Sequence, residues 1–468
     1  MSDELERLER WVEAALGGTV LGSRRLPRWR PAWDIDVEIG HRRVALHARG
    51  ERERRIVMPY RIADEVATHR LLEAHQIPVP HAYGLCDQPY ALVMDRLPGQ
   101  ADLSNVAADD RDRLLDSYLQ ILAKIYQIPL SDAEAAGFEI PTDSAAACLA
   151  GYWRRTEHLY DAAMAGHDPD PLAVFLRRWI NDHVPADRHR HARFITYDSF
   201  QFMFDGTQIT GLLDFEHAHV GDPMMDLAAL RIRDTIKNIG ELPDYADRYR
   251  QITGVEIDHD AVEFHTVVYN AISVLSVGPP LHDPLPGTDW LTYLAWYVNG
   301  ARWSLECIAE IGGYRLEPVQ IPQPRPTKHA AALRHLVAGL RDASYGLAEV
   351  DYQRVALGRI ANHLKRVDEI GAELDSADLD DLGEMLGSRP QPEDADAELI
   401  RFINDAGPDR EEELVRLLDR RAQRRHLSMA SASSLMLRHP PLRSLRPDRT
   451  VARSLDDGWP GGAIPGTA

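Results

Sequence analysis

Apolar and polar residues alternate near the start of the chain in a way that predicts a small β-sheet. Residues 34–49 alternate across a turn centred on Gly40, which is typical of a β-hairpin. Residues 61–75 then have the periodicity of a helix, and the prolines of the following IPVP segment end it. Residues 90–99, YALVMDRLPG, predict a short strand that runs into a turn. Residues 1–97 are therefore expected to form a small sheet with a packed helix.

Helical periodicity dominates the rest of the chain. Within residues 98–319 only the segment 194–215 has strand character. The proline-rich segment QIPQPRPT, residues 320–327, predicts a linker, and residues 328–438 predict a separate helical domain. Residues 439–468, rich in Ser, Pro, Gly and Arg, predict a disordered tail. A chain of 468 residues is also too long for one hydrophobic core, which agrees with more than one domain.

Charge and cysteine content restrict the classes of partner. The formal net charge of −20 argues against nucleic acid or an anionic membrane surface as a partner, although it would suit a cationic small molecule. The three cysteines lie far apart and form no CxxC pair, which is typical of a reducing cytosol. Residues 1–16 form an amphipathic helical pattern and not a signal peptide, and no apolar stretch is long enough to span a bilayer. We therefore expect a cytoplasmic protein.

The segment DFEHAHVGDPMMDLA, residues 214–228, concentrates negative charge directly after an apolar strand. It carries four carboxylates: Asp214, Glu216, Asp222 and Asp226. Carboxylates at a junction between a strand and a helix either cap the helix and hold the loop, or hold a metal ion. For Asp222 and Asp226 the capping interpretation is at least as good as the metal one. His217 and His219 are interpreted as surface residues, because no further Cys or His stands at metal-ligand spacing.

A predicted hairpin brings the first of these carboxylates close to another one. Asp205 and Gly206 are a strong turn signal between two apolar strands. A turn centred there places Asp198 and Asp214 at the same end of the hairpin, with Cβ atoms roughly 4.5–8 Å apart. Gln201 lies on the first strand of the same hairpin. Two carboxylates and an amide oxygen suit Mg²⁺, and a second carboxylate can orient or deprotonate an attacking hydroxyl group.

These motifs resemble those of the aminoglycoside phosphotransferase family, which includes choline kinase-like enzymes and is part of the protein-kinase-like superfamily. Its members carry HGDxxxxN, a short hairpin, and then I-D-[WF]-E followed by GDP..DLA; residues 212–228 read LLDFEHAHVGDPMMDLA. The sequence VALH, residues 44–47, stands where kinases have V-A-x-K on the third strand. Glu65 in the following helix stands where the ion-pair glutamate of the nucleotide site is expected. The resemblance covers residues 20–315.

The resemblance implies an α+β, two-lobed protein-kinase-like fold with an appended all-α domain. The small β-rich N-lobe, residues 1–97, would bind the nucleotide, and the larger helical C-lobe, residues 98–319, would carry the catalytic hairpin. The implied activity is ATP- and Mg²⁺-dependent transfer of a phosphoryl group to the hydroxyl group of a small molecule. The appended domain, residues 328–438, is a candidate for binding a protein partner or for self-association.

The resemblance also implies roles for single residues. Asp198 matches the catalytic base and Asp214 the metal-binding aspartate, while Gln201 is the nearest candidate for the second metal ligand. His47 stands in place of the third-strand lysine, and Arg49 lies on the same face of that strand. The hinge whose backbone would receive adenine corresponds to Met94, Asp95, Arg96 and Leu97.

Departures from the family pattern leave a second interpretation open. The catalytic loop reads TYDSFQ, two residues shorter than the pattern, with Thr196 and Tyr197 in place of His-Gly. His47 is a weak phosphate ligand compared with a permanent cation. Residues 21–36 lack the glycine-rich pattern that wraps the phosphates, although arginines could supply charge instead (Arg24, Arg25, Arg28, Arg30, Arg54 and Arg55). The alternative function is a catalytically silent kinase-like protein that binds a nucleotide, a metabolite or a protein partner.

Overall fold

The computed structural model describes residues 3–28, 30–51, 56–237, 239–343, 346, 348–429 and 439–446. The chain divides into two compact units. The first unit comprises Met1–Arg54, Met58–Arg155 and Pro185–Val262, and the second comprises Arg55–Val57, Thr156–Val184 and Glu263–Ala468. This division does not follow the predicted boundaries at 97/98 and 319/320. Arg54 and Arg55, which were candidates for phosphate ligands, lie outside the described residues.

The first unit begins with a helix and a five-stranded antiparallel sheet. The elements are α1 (Asp3–Leu16), β1 (Thr19–Arg25), β2 (Ala32–Ile39), β3 (Arg42–Gly50), α2 (Ile62–Ala74), β4 (Ala82–Asp87) and β5 (Tyr90–Asp95). The strand order is β1-β2-β3-β5-β4, and each neighbouring pair is antiparallel. The predicted hairpin over residues 34–49 is confirmed as β2 and β3, and Gly40 adopts the left-handed φ of +63° in its turn.

The two faces of this sheet bury different neighbours. Helix α1 covers one face, where the buried apolar side chains include Leu8, Val12, Ile35, Val37 and Leu46. Because successive side chains of a strand point to opposite faces, His47 and Arg49 lie on the other face. Helix α2 packs on that second face through Ile62 and Val66. The packing of α2 therefore brings Glu65 to the same side of the sheet as Arg49.

The chain is mainly helical from residue 108 onward. The elements are α3 (Ala108–Tyr126), α4 (Leu130–Ala135), α5 (Trp153–Ala163), α6 (Pro171–Asp182), β6 (Arg193–Ile195), β7 (Phe202–Asp205), β8 (Gln208–Leu212), β9 (His219–Gly221), α7 (Met224–Lys237), α8 (Leu242–Thr253), α9 (His259–His282), α10 (Trp290–Gly312), α11 (Ala330–Asp342), α12 (Ala348–Leu386), α13 (Ala395–Asp405) and α14 (Glu411–Met429). Strand β6 pairs with β9, and β7 with β8. The predicted α+β fold class, with a small antiparallel sheet before a mainly helical region, is confirmed.

The predicted hairpin before the acidic segment is formed by β7 and β8, but its turn lies one residue later than expected. Asp205 pairs with Gln208, which makes Gly206 and Thr207 the two turn residues. Gly206 has a φ of +58°. A two-residue turn with glycine at its first position matches the right-handed twist of the flanking strands. With a further irregularity between Met203 and Phe204, this register brings Gln201 next to Leu213 at the open end of the hairpin, where Leu213 N–H donates to Gln201 O at 3.0 Å.

The helices after residue 327 pack in the second unit together with α9 and α10. Helix α10 contacts both α12 and α14. The segment 320–327, predicted as a linker, has no regular secondary structure, but its Ile321 packs against the core formed by Ile370, Leu374 and Leu427. Helices α12 and α14 thus belong to the same compact unit as α10, and a separate helical domain over residues 328–438 stays a prediction.

Part of the segment predicted to be disordered is ordered. Glu306, fully buried on α10, accepts a hydrogen bond from Leu442 N–H at 3.2 Å and lies 2.6 Å from His439 Nε2. Arg446 pairs with Glu263 at 2.7 Å. These polar contacts and the buried Leu442 fix residues 439–446; the rest of the predicted tail lies outside the described residues. Within the described part of the chain no helix has the length and apolar character needed to cross a bilayer, and the cytoplasmic location stays a prediction.

Candidate active site

An arginine on β3 joins carboxylates from three parts of the first unit. Arg49 donates from Nη1 to Glu65 Oε1 at 2.6 Å and from Nη2 to Glu216 Oε2 at 3.2 Å. The same Nη2 also donates to Asp214. Glu65 is fully buried on α2, where Tyr60 donates a further hydrogen bond to it. The ion pair between the third strand and the following helix, which the resemblance implies, is therefore made by Arg49.

His47 contacts a different carboxylate. Its Nδ1 lies 3.1 Å from Asp34 Oδ1 on the neighbouring strand β2, and Asp34 also accepts from Arg24 Nη2 at 2.7 Å. Burial lowers the pKa of His47, and the hydrogen bond to Asp34 opposes this only in part. The imidazole is therefore neutral at neutral pH. The cation that contacts Glu65 is Arg49, which lies two residues after His47, the last residue of the VALH motif.

Opposite charges hold the Arg49 cluster together. Burial alone would lower the pKa of Arg49, but the carboxylates of Asp214 and Glu65 outweigh it and raise that pKa. Burial also acts to raise the pKa of Glu65, and Arg49 and Arg30 reverse this effect and hold it below its ordinary value. Both partners are therefore charged at neutral pH. Removing one of them would leave the other as an uncompensated buried charge, at a cost of about 3–5 kcal/mol.

Arg30 enters the same cluster from the loop between β1 and β2. Its side chain is almost completely buried, with Nε donating to Gly50 O at 2.7 Å and Nη1 to Glu216 Oε2 at 2.9 Å. Its remaining nitrogen, Nη2, is buried and has no hydrogen-bond partner among the described residues. From the sequence, Arg30 was one of several arginines that could supply charge to the nucleotide site. Nothing in its spacing distinguished it from Arg24, which pairs with Asp34 on the sheet.

The loop that carries Asp198 has an unusual backbone. Tyr197, Phe200 and Asp214 have φ values of 58°, 66° and 65°, in the left-handed region that non-glycine residues rarely adopt. Such residues cost of the order of 1–3 kcal/mol each and are concentrated at functional sites. Tyr197 stands where the family pattern has glycine, and it adopts a left-handed φ despite its side chain.

Asp226 at the start of α7 holds this loop in place. Its Oδ1 accepts from Tyr197 N–H at 2.7 Å, from Ser199 Oγ at 3.1 Å and from Thr196 Oγ1 at 3.2 Å. Its Oδ2 accepts from Tyr126 OH at 3.0 Å. Burial raises the pKa of Asp226 to about 6, although these hydrogen bonds oppose the shift. The interpretation of Asp226 as a residue that ties down the loop is confirmed.

Asp222 and the two histidines of the acidic segment make structural contacts as well. Asp222 caps α7 by accepting from Met224 N–H at 3.1 Å, and it pairs with Arg188 through 2.6 Å and 2.8 Å contacts. His217 and His219 are buried, so their interpretation as surface residues is wrong. His217 stacks on the ring of Tyr152 with centroids 4.3 Å apart. His219 begins the buried strand β9, and both imidazoles contact the ring of Tyr197 edge-on.

Asp198 and Asp214 meet through one side chain. Gln201 Nε2 donates to Asp198 Oδ2 at 2.9 Å and lies 3.3 Å from Asp214 Oδ2. The other oxygen of Asp198, Oδ1, accepts from Arg233 Nη2. The structure thus brings together the three oxygen-bearing residues that the sequence proposed as a metal and base site.

The sequence did not single out Arg233 or its neighbour Lys237. Arg233 lies on α7, seven residues after Asp226, so the two side chains share one face of that helix. Lys237 follows one turn later, and its Nζ lies 3.4 Å from Phe200 O. Their spacing along α7 is the signal that could have found them. Because residues seven positions apart lie on the same face of a helix, Arg233 approaches the loop that Asp226 holds.

The hinge segment is partly occupied by sheet hydrogen bonds. Asp95 N–H donates to His81 O at 3.0 Å, and Arg96 N–H donates to Ala45 O at 2.9 Å. The side chain of Arg96 pairs with Asp36 at 2.6 Å. Among the four hinge residues predicted to receive adenine, these two backbone N–H groups are therefore already used, which restricts the prediction to the remaining groups of Met94 to Leu97.

Comparison with known proteins agrees with the sequence motifs. The profile of the phosphotransferase enzyme family matches residues 37–265. Among solved structures, the chain is similar to a GDP complex of aminoglycoside 2'-phosphotransferase, with 15% identity and a TM-score of 0.44 over 66% of this chain and 100% of that chain. It is also similar to a choline kinase from Streptococcus pneumoniae, with 14% identity and a TM-score of 0.45 over 66% of this chain and 99% of that chain. No protein with a curated function matches significantly. Residues 37–265, which contain Arg49, Glu65, Asp198 and Asp214, therefore match the phosphotransferase enzyme family, and the resemblance inferred from the sequence is confirmed.

Proposed function

We propose that the first unit is a small-molecule kinase, which transfers the γ-phosphoryl group of ATP to an acceptor hydroxyl group with the help of Mg²⁺. The observation that carries the proposal is the position of Asp214 between two sets of contacts. Arg49 joins it to the buried Glu65, and Gln201 joins it to Asp198. A merely capping carboxylate would have no reason to bridge the third strand and the catalytic loop.

The donor groups of the site fit a nucleotide and a divalent cation. The buried Nη2 of Arg30 lacks a partner among the described residues, and a buried donor left without an acceptor costs about 1–3 kcal/mol. A phosphate oxygen would satisfy this donor. Asp214, Asp198 and Gln201 offer oxygen atoms, which are the ligands that Mg²⁺ takes in proteins. The carboxylates of the site already pair with arginines. A bound metal ion would replace the arginines as partners of the carboxylates, and bound phosphate groups would replace the carboxylates as partners of the arginines.

Each residue then has a distinct part in the reaction. When bound, Mg²⁺ would neutralise the negative charge on the phosphoryl oxygens. Asp214 would hold the metal together with Gln201, whose amide would turn to present Oε1. Arg49 would exchange Asp214 for a phosphate oxygen while its Nη1 keeps the contact with Glu65. Glu65 thus fixes the position of a permanent cation.

Asp198 is assigned the proton transfer. It would accept a hydrogen bond from the acceptor hydroxyl group and orient its oxygen toward the γ-phosphorus. As the acceptor oxygen bonds to phosphorus, the bond between phosphorus and the ADP oxygen breaks, and the hydroxyl proton passes to the Asp198 carboxylate. The products are ADP and the phosphorylated acceptor. The expected protein partner or self-association through residues 328–438 stays a separate prediction.

Asp214→Asn is expected to abolish the Mg²⁺-dependent part of ATP binding. Asparagine tolerates the left-handed φ of 65° at this position better than alanine does, so the substitution removes the charge with little disturbance of the loop. The measurement is ATP affinity by calorimetry with Mg²⁺ and with a chelator. Asp205→Asn is the matched control, because Asp205 is exposed at the opposite end of the same hairpin. An undiminished Mg²⁺ effect in the Asp214 variant would contradict the assignment.

Arg49→Gln is expected to weaken ATP binding about 10- to 100-fold, the loss that follows removal of a charge-assisted contact. His47→Gln should change it by less than about threefold, because its imidazole is neutral and faces Asp34. Since the single Arg49 variant leaves Glu65 without its cation, Arg49→Gln combined with Glu65→Gln is measured as well. A stronger effect from His47→Gln than from either Arg49 variant would return the phosphate-binding role to the VALH position.

A further inference from the structure

We propose that the acceptor is an anion: a small hydroxy compound with a carboxylate or phosphate group, which Arg233 and Lys237 bind. The inference deepens the proposed function and rests on it, because it takes Asp198 as the group that meets the acceptor hydroxyl. It is carried by the contacts around Asp198 and by the pair of cations that α7 presents to the loop.

The two oxygens of Asp198 face different neighbours. Oδ2 accepts from Gln201, which also approaches Asp214 on the side assigned to the metal. Oδ1 accepts from Arg233 Nη2. An acceptor whose hydroxyl group binds Asp198 therefore lies within reach of the Arg233 guanidinium, whose side chain keeps 16% of its surface exposed.

A second cation reinforces the first. Lys237 lies four residues after Arg233, and side chains at this spacing are neighbours on a helix surface. Its Nζ lies 3.4 Å from the carbonyl oxygen of Phe200, two residues beyond Asp198. Burial and then the nearby Arg233 lower the pKa of Lys237 to about 8, although Asp198 and Asp102 act to raise it. The two cations therefore repel each other, and a bound anion would relieve that repulsion.

The ion pair with Arg233 also bears on the use of Asp198 as a base. Arg233 and Gln201 each occupy one oxygen of this carboxylate, so an acceptor hydroxyl group has to replace one of these two contacts. An anionic group of the acceptor would take the place of Asp198 on Arg233, which frees the carboxylate for the hydroxyl group. A cationic acceptor would instead add a third positive charge beside Arg233 and Lys237. The negative net charge of the whole chain would suit a cationic acceptor, but the two cations beside Asp198 would not.

Matched pairs of compounds test the inference. The affinities of glycerol 3-phosphate and glycerol, and of 3-hydroxybutyrate and its methyl ester, are measured by calorimetry on the full chain with Mg²⁺ and a non-hydrolysable ATP analogue; choline is the cationic probe. In at least one pair the anion should bind about 10-fold or more tightly than its neutral partner, and that pair identifies phosphate or carboxylate as the anchor. No preference for an anion in either pair, or tighter binding of choline, would overturn the inference.

Substitutions of Arg233 and Lys237 test whether these two cations cause the preference for an anion. Arg233→Gln should abolish the difference between anion and neutral partner, and Lys237→Gln, which does not touch the contact between Arg233 and Asp198, should reduce it about 3- to 10-fold. Arg250→Gln is the control, because Arg250 is exposed on α8. A preference that survives Arg233→Gln would also overturn the inference.

The affinity for the ATP analogue tests the proposed function separately. If the analogue binds with Mg²⁺ and no anion is preferred, only the acceptor class is wrong. If the analogue does not bind, the proposed function is wrong too.

Discussion

Asp198→Asn is expected to leave ATP affinity nearly unchanged while turnover falls by about 10²–10⁴-fold, the range typical of losing a positioned general base. Asparagine has the shape of aspartate, and it can still accept a hydrogen bond from Gln201 or Arg233, the two residues that contact Asp198. It cannot take the proton of the acceptor hydroxyl group. The measurement is turnover with a functional acceptor, together with Mg·ATP affinity and thermal unfolding of the same preparation.

A structural role for Asp198 makes a different prediction. Loss of the ion pair with Arg233 would then lower the thermal unfolding temperature, and affinity and turnover would decline together with the folded fraction. Asp205→Asn on the same hairpin controls for the general effect of removing a carboxylate. Wild-type turnover in the Asp198 variant would contradict its assignment as the base.

Asp226→Ala is expected to destabilise the first unit by about 3 kcal/mol or more, because several donors lose one shared acceptor inside the protein. The groups left without it are Tyr197 N–H and the hydroxyl groups of Thr196, Ser199 and Tyr126. Since Tyr197 also has a strained φ of 58°, the loop that carries Asp198 should lose its conformation first. Thermal unfolding and turnover, measured together, should both fall.

The pH dependence of stability separates charge from hydrogen bonding at Asp226. Its pKa of about 6 in the folded protein lies above the ordinary value of 3.8, so the folded state binds this proton more tightly than the unfolded state. The contribution of Asp226 to stability therefore increases as the pH falls from about 6 to about 4, and above pH 6 its charge opposes folding. Asp226→Asn should retain most of the stability at pH 7 and remove this part of the pH dependence. Equal losses in the Ala and Asn variants would show that the charge itself holds the loop.

Local patterns predicted the fold class and the convergence of Asp198, Gln201 and Asp214. Alternating strands, a glycine turn and the DFE and GDP segments are short-range signals, and one hairpin is enough to bring the carboxylates together. The wrong turn position changes the pairing along both strands, but Asp198 and Asp214 still lie at the open end of the hairpin, where Gln201 contacts both of them.

Contacts that depend on side-chain reach could not be predicted in the same way. His47 and Arg49 lie on the same strand face, and which of them meets Glu65 depends on how far α2 sits along the sheet. His217 packs on Tyr152 and His219 on Tyr197, and both of these partners are distant in the sequence. The proline-rich composition of residues 320–327 likewise does not reveal that Ile321 packs against Ile370, Leu374 and Leu427.

Thermal unfolding of the unmodified protein with ATP, measured with Mg²⁺ and with a chelator, tests the central claim most directly. A ligand at 100 times its dissociation constant stabilises the state that binds it by about 2.7 kcal/mol. If Asp214 and Asp198 form a Mg·ATP site, ATP should raise the unfolding temperature clearly more with Mg²⁺ than without it, and Mg²⁺ alone should have little effect. An equal shift under both conditions would support a nucleotide-binding but catalytically silent protein, and the absence of any shift with ATP would contradict the account.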